Sequence, residues 1–482
     1  MGTCTEELAR FAAELQYEDI PADVVHQAER LILDTCCCAI SGYVLDSGKL
    51  YLHVLESLGG APQATLFPTG HKTSVATAAF VNSQLANLRD LDDNLLYHSH
   101  FANTSVMPAL AMAEHLRTNG KQFVTAVITA FEVTARISLC MPAFEVTSPP
   151  PNIKIEQCEH MSMSYNIFGA AVGCCRLLGL SAQQTANAMG IAGYTAPVPT
   201  LTKAMALPRL TMLKYAIYGW QGWGGVVAAL LAEQGMTADT GVLDGEHGFW
   251  RMTGSEWCDF QILTKGLGSK WWIMDTSIKP YPAGTWMRNP ILALDKIIEA
   301  HHIKPEEIEQ IVAKIWPLWP LHKKGPATQE RPESYLDTQI SYQYLLAVRA
   351  LGVPPNRWYS KEVYSDPLVK SMIKKIRIEE DPQSTRALYE EIREGREVRH
   401  PSKAPATVEV RARGTTFTEH VEYAKGDPFT KETRLSDEEI AEKFRTYTIG
   451  LIRSSHVEPA IKALLTISKV SDIGTLIPLL TA

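Results

Sequence analysis

The chain has 482 residues, of which 45 % are hydrophobic and 21 % charged, and its formal net charge is −7. This composition argues against a disordered chain, and the length predicts more than one domain. The acidic balance and the absence of a long Lys/Arg run argue against a nucleic-acid partner.

The N-terminus, MGTCTEELARFAAELQ, lacks a signal-peptide core, and Glu6 stands where a myristoylation pattern needs Ser or Thr. Helical spacing of apolar residues begins in EELARFAAELQ and continues in PADVVHQAERLILDTCCCAISGY, with Pro21 near its start and Gly42 at its end. SVATAAFVNSQLANL is rich in small residues, which suits close helix packing. SVMPALAMAEHLRTNG predicts a helix with Gly120 as its C-cap residue. KQFVTAVITAFEVTARISL, NIFGAAVGCCRLLGL and SAQQTANAMGIAGY follow, the last with Ser181 as its N-cap. GWGGVVAALLAEQG predicts one more small-residue helix, entered through a glycine-rich turn.

After about residue 270 the pattern changes. IEQIVAKIWP and ATVEVRARGTTFTEHVEYAKG alternate as strands do, with a turn at Gly414. DTQISYQYLLAVRALG between them is helical, and SDEEIAEKFRTYTIGLI opens with a capping box from Ser436 to Glu439. The expected fold is mainly α: a large all-helical domain plus a smaller α/β lid domain. Residues 1–270 form the first helical part, 271–424 the lid, and 425–482 the returning helical part. A cleft is expected at their junction.

Nine cysteines occur without a CxxC pair, with Cys36, Cys37 and Cys38 consecutive and Cys174 beside Cys175. They read as small buried hydrophobes in a reducing compartment. No uninterrupted stretch of about 18 apolar residues appears, so no membrane span is expected. The expected location is cytoplasmic, with a mitochondrial one left open.

The segment DLDDNLLYHSHFANTS, Asp90–Ser105, packs three carboxylates into four residues and then two histidines two apart. Three readings stand beside each other. Asp and His at close spacing suit a transition metal, but no second ligand cluster supports that, so no metal is expected. The carboxylates could simply dress a helix N-terminus, as Asp92 and Asp93 in particular suggest. Or the segment is an acid/base cluster beside an anion site. Lys214 before the glycine-rich stretch and Lys279 beside a Pro-Tyr-Pro turn are candidate cations, although single lysines are usually solvated. Glu132 in AFEVTARI reads as a buried structural partner.

Six segments, taken in order, resemble the MmgE/PrpD family, which contains 2-methylcitrate dehydratases and cis-aconitate decarboxylases. They are DLDDN with a following His, SVMPALAMAEHLRTNGKQFVTAVITAFEVTARI, EHMSMSYNIFGAAVGCCRLLGL, MLKYAIYGWQGWGGVVAALLAEQGMTADTGVLDGEHGF, GLGSKWWIMDTSIKPYP and DTQISYQYLLAV. The resemblance covers nearly the whole chain. It implies catalytic roles for Asp90, His100, His160, Lys214 and Lys279. Asn94, His98, Lys203, Tyr281 and Arg288 are expected to bind substrate, and Arg209 borders the Lys214 loop. Counting back from Pro108 places the catalytic His on Phe101 instead of His100, because this chain has one extra residue there. The family's His-Pro-Ser-Gly is replaced here by HFANTS, and Gly284 and Arg288 also depart from the pattern.

The resemblance implies a cofactor-independent lyase, usually a homodimer, acting on a small di- or tricarboxylate. A 2-methylcitrate- or alkylcitrate-type dehydration is expected first and cis-aconitate-type decarboxylation second. An isomerase or epimerase, or a catalytically lapsed polycarboxylate-binding protein, are the other readings. Dehydration and decarboxylation both need cations for the carboxylates and a group titrating near neutrality, for which His is the natural choice.

Overall fold

The computed structural model describes residues 2–158, 163–198, 209–214, 217–316, 330–395 and 398–482. His160, Lys203 and Tyr215 lie outside the described residues. The chain is mainly helical, with small sheets.

The helical part is built from α1 (Cys4–Glu14), α2 (Ala22–Gly42), α3 (Asp46–Ser57), α4 (Val75–Leu88), α5 (Ala102–Leu116), α6 (Gly120–Leu139), α7 (Asn166–Leu177), α8 (Ala182–Thr195) and α9 (Tyr218–Glu233). Ser181 caps α8 as expected, through a box with Gln184. Gly120 is not the C-cap of α5. That helix ends at Arg117 in the left-handed region, and Gly120 opens α6 behind the Asn119 cap. The reason is steric: a Cβ on Gly120 would lie 1.6 Å from the Ile467 carbonyl oxygen.

The glycine-rich stretch YGWQGWGG is not a turn either, because α9 already starts at Tyr218. Its glycines serve packing. A Cβ at Gly225 would meet Ala170 of α7 at 2.4 Å, and one at Gly222 would meet Ser83 of α4 at 2.8 Å. Each helical glycine costs about 1 kcal/mol relative to Ala, and the close approach of three helices offsets it. Among the described residues, α6 is long and apolar enough to cross a membrane, but 94 % of its apolar window is buried within the protein, as in a core helix.

Helix α10 (Arg288–His301) lies on a four-stranded sheet. Two short strands, β1 (Asn94–Leu95) and β2 (Thr276–Ser277), pair with each other elsewhere. The larger sheet contains β3 (Ile308–Ile315), β4 (Ile376–Glu380), β5 (Ala406–Ala412) and β6 (Thr415–Val421), in the order β6-β5-β3-β4. Only β3 and β4 run parallel. Ile308, Ile311, Ala313 and Ile315 of β3 and Ala406, Val408, Val410 and Ala412 of β5 are buried, as the alternation predicts. The edge strand β4, IRIEE, was not expected, since its charges mask the pattern. Nor was the hairpin of Phe144–Ser148 with Lys154–Gln157 inside the helical half.

Helix α11 (Asp437–Thr448) opens with the expected Ser436–Glu439 box and returns the chain to α2. All nine cysteines are free thiols, and Cys36, Cys37, Cys38, Cys174 and Cys175 are buried.

Candidate active site

The acidic segment follows α4 at once, and Asp90 adopts a left-handed backbone at φ +54°. Asp tolerates that region better than most residues. The β1–β2 ladder pairs Asn94 with Ser277 and so carries Lys279 alongside the turn. Lys279 Nζ donates to Asp90 Oδ1 at 2.8 Å and to the Asp90 carbonyl at 3.1 Å, while Ala283 N reaches the same carbonyl at 3.2 Å.

Lys214 arrives from the opposite direction, also left-handed at φ +60°. Its Nζ lies 3.7 Å from Asp90 Oδ2 and donates to the Asn87 carbonyl at 3.0 Å. Strain of about 1 kcal/mol or more at such residues is typical of functional sites. The two lysines therefore grip one buried carboxylate from both sides. Burial alone would raise the Asp90 pKa, but Lys214 and Lys279 hold it well below the usual carboxylate range. Burial pushes the Lys214 pKa down, and Asp90 opposes that.

Asp92 and Asp93 separate in role. Asp93 caps α5, accepting from Phe101 N at 3.1 Å and Ala102 N at 3.2 Å. Burial, with Asp92 nearby, pushes its pKa up to about 8. Asp92 accepts from Asn87 at 2.8 Å and Asn103 at 2.7 Å, and its Oδ2 lies 3.3 Å from His100 Nδ1. His100 Nδ1 also bonds the Asp93 carbonyl. A carbonyl only accepts, so Nδ1 carries the hydrogen and Nε2 is left to take or give a proton. Burial lowers the His100 pKa and Asp92 opposes the shift.

The two neighbours point different ways. Phe101 packs edge-on against Phe131 and Tyr165, with ring centres 5.5 and 5.9 Å apart, and His100 faces the carboxylates.

Asn94 is buried and donates to the Ser99 carbonyl at 3.3 Å, and its Oδ1 has no hydrogen-bond partner among the described residues. His98 meets the Tyr165 hydroxyl at 3.2 Å and the His400 ring edge-on at 4.6 Å. His400, buried and bonded through Nε2 to the Met141 carbonyl at 2.8 Å, was not singled out by the sequence. It stands alone in VRHPSKAP, with no spacing that would flag it.

Tyr281 and Arg288, expected at the substrate, are engaged by the protein. Arg288 Nη1 pairs with Asp427 Oδ1 at 2.9 Å, which neutralises its charge, and Tyr281 stacks near Trp358 and reaches the Arg288 carbonyl at 3.4 Å. Arg209 bridges Glu333 at 3.0 Å and Asp337. Glu132 is the structural partner expected, accepting from Ile273 N at 2.9 Å.

Ligand atoms of Asp90, Asp92 and His100 lie within 4.8 Å of one another, as in a metal site. The donor set fits a metal poorly. Two ammonium groups already neutralise Asp90 at 2.8 and 3.7 Å, and a divalent ion would have to displace them.

The pattern of the MmgE/PrpD N-terminal domain matches residues 6–258, and that of the MmgE/PrpD C-terminal domain matches residues 281–467. The chain belongs to the MmgE/PrpD family. Relatives of this MmgE/PrpD protein include the cis-aconitate decarboxylase of Aspergillus terreus strain NIH 2624 / FGSC A1156, 27 % identical over 72 % of this chain and 71 % of that one. The cis-aconitate decarboxylase-like protein oryM of Aspergillus oryzae is 24 % identical over 100 % of this chain and 98 % of its own. Human cis-aconitate decarboxylase is also 24 % identical, over 100 % of this chain and 95 % of its own.

Proposed function

We propose that this chain is a lyase for a citrate- or aconitate-like polycarboxylate, working without a cofactor, and that its reaction is decarboxylation of a cis-aconitate-like acid. The observation that carries the reading is His100, held through Nδ1 beside a carboxylate gripped by two lysines. The names of the relatives favour decarboxylation. Dehydration of a methylcitrate-like acid becomes the second reading.

In decarboxylation a carbon–carbon bond breaks and carbon dioxide leaves. The electron pair shifts through the neighbouring double bond, and one proton is added to carbon. Lys214 and Lys279 stabilise the charge that builds on the remaining carboxylates. His100 Nε2 supplies the proton as an imidazolium. An arriving polyanion raises the proton affinity that burial lowers. Asn94 Oδ1 and His98 are further contacts for the substrate in this reading.

The test offers the purified protein cis-aconitate, citrate and 2-methylcitrate, and follows carbon dioxide release and enoate absorbance. Carbon dioxide from cis-aconitate is the expected result. Enoate from a citrate without carbon dioxide supports dehydration. Solvent deuterium exchange without conversion supports an epimerase, and binding without turnover supports a lapsed enzyme. The pH dependence separates the first two. A His100 acid makes kcat fall as pH rises, whereas a His100 base makes it fall as pH drops.

The homodimer belongs to the same proposal. A cavity of about 590 Å³ between α3 and α9 is lined by Leu50, Val54, Leu58, Trp220 and Trp223, all exposed. The outer face of α9 continues with exposed Leu230 and Leu231, which a helix facing water does not sustain. A two-fold axis would lay this stripe into the slot of a second copy. Trp223→Glu is expected to halve the mass measured by light scattering.

A further inference from the structure

Lys443 lies on α11, far along the chain from the acidic turn, and no motif of that turn points to it. Its ammonium group donates to the Leu91 carbonyl at 2.8 Å and to Asp34 Oδ1 on α2. Leu91 stands between Asp90 and Asp92, and its carbonyl belongs to the peptide plane that carries Asp92, one residue beyond Asp90. Lys443 is 4 % exposed and Asp34 1 %, which keeps water from competing for the carbonyl. Cys37, three residues beyond Asp34, donates to the Lys443 carbonyl at 3.7 Å and ties the two helices together. Asp34 in turn feels the charges of Asp92 and Lys279.

A buried ion pair is a poor way to join two helices, since apolar residues of the same volume do so as well or better. What apolar residues cannot do is donate a hydrogen bond to the Leu91 carbonyl. We propose that Lys443 is a positioning residue. Clamped by Asp34, it holds the Leu91 carbonyl, and with it the peptide plane that carries Asp92, and thereby fixes the angle at which Asp92 meets His100 in the turn that begins at Asp90. This role rests on reading the acidic turn as the active site.

Lys443→Met alone leaves Asp34 buried and unpaired, and such a protein is prone to unfold. The decisive variant is therefore Asp34→Asn/Lys443→Met, which removes both charges. Its fold is checked by circular dichroism and melting. In the folded double variant kcat is expected to fall about tenfold or more while KM stays within about threefold, because misplaced catalytic groups cost rate before binding. A second readout needs no substrate. The His100 imidazole is titrated by NMR, its signal assigned by its absence in His100→Gln. With the turn loosened, Asp92 supports the imidazolium less, and the midpoint is expected to drop by about half a unit. A folded double variant with kcat within about twofold of wild type and an unmoved His100 midpoint would overturn the role. If wild type turns over none of the three acids, the lyase reading falls, and the titration alone decides about Lys443.

Discussion

Asp90 and Asp427 are both buried carboxylates facing buried cations, yet their surroundings differ. Asp427 accepts from Arg288 at 2.9 Å, Ser277 at 2.7 Å, Tyr97 at 2.6 Å and Ala424 N at 2.8 Å. One guanidinium balances its charge and neutral donors fill its other lone pairs, so the cluster closes on itself. Asp90 has two ammonium groups, a left-handed backbone, and His100, Asp92 and Asp93 beside it. Its neighbours include a carboxyl raised to about 8 and a histidine lowered by burial. Neutral donors close the first cluster, whereas the second sets a carboxyl raised by burial beside a histidine. Ser277 is paired with Asn94, so the closed cluster also braces the ladder that carries Lys279 to the turn. One cluster closes on itself, and the other gathers the groups that the proposed lyase reaction uses.

The largest expected difference is in rate. Lys279→Met is expected to lower kcat/KM by about 10³-fold or more, measured in steady state on the accepted acid, because it removes a preorganised cation. Near-normal turnover would erase the distinction between the clusters. Arg288→Met tests the other side. It leaves Asp427 buried without its cation and is expected to cost about 3–5 kcal/mol in urea unfolding. The protein that remains folded is expected to keep kcat/KM within about threefold, since the Arg288 charge is paired with Asp427, and a larger loss would return Arg288 to the substrate.

Asp93 sharpens the comparison through pH. Its carboxyl is raised in the folded state, so the neutral form favours folding. That stability is fully present below the unfolded pKa near 3.9 and is lost as pH rises toward about 8. Asp93→Asn is expected to flatten the decline across that window by the order of a few kcal/mol, read as unfolding free energy against pH for both proteins. The smallest effect belongs to Ser181→Ala, far from both clusters. It is expected to cost about 1 kcal/mol of stability with no change in turnover.

Much of the site was legible because the chain carries it in short runs. Asp90, Asp92 and His100 share one segment, and Lys214 and Lys279 stand beside unusual glycine and proline neighbours. Less was legible where the evidence is a contact. Arg288 was expected at the substrate because of its type, and its pairing with buried Asp427 is a contact the sequence does not display. The glycines in the first turns of α9 looked like a turn before it, because a sequence does not display the helices that press against them.

By itself the sequence determined the helix-rich first half, the alternating strands β3, β5 and β6, the caps at Ser181 and Ser436, and the family resemblance. These are local matters, settled by side-chain periodicity, capping chemistry and short motifs. Only the tertiary structure decided that His100 and not Phe101 faces the carboxylates, that Asp93 caps a helix while Asp92 holds a histidine, and that Lys443 reaches the back of the turn. Those outcomes depend on groups distant in the chain competing for the same buried hydrogen bonds, and folding resolves that competition by satisfying charge and polarity where water is absent.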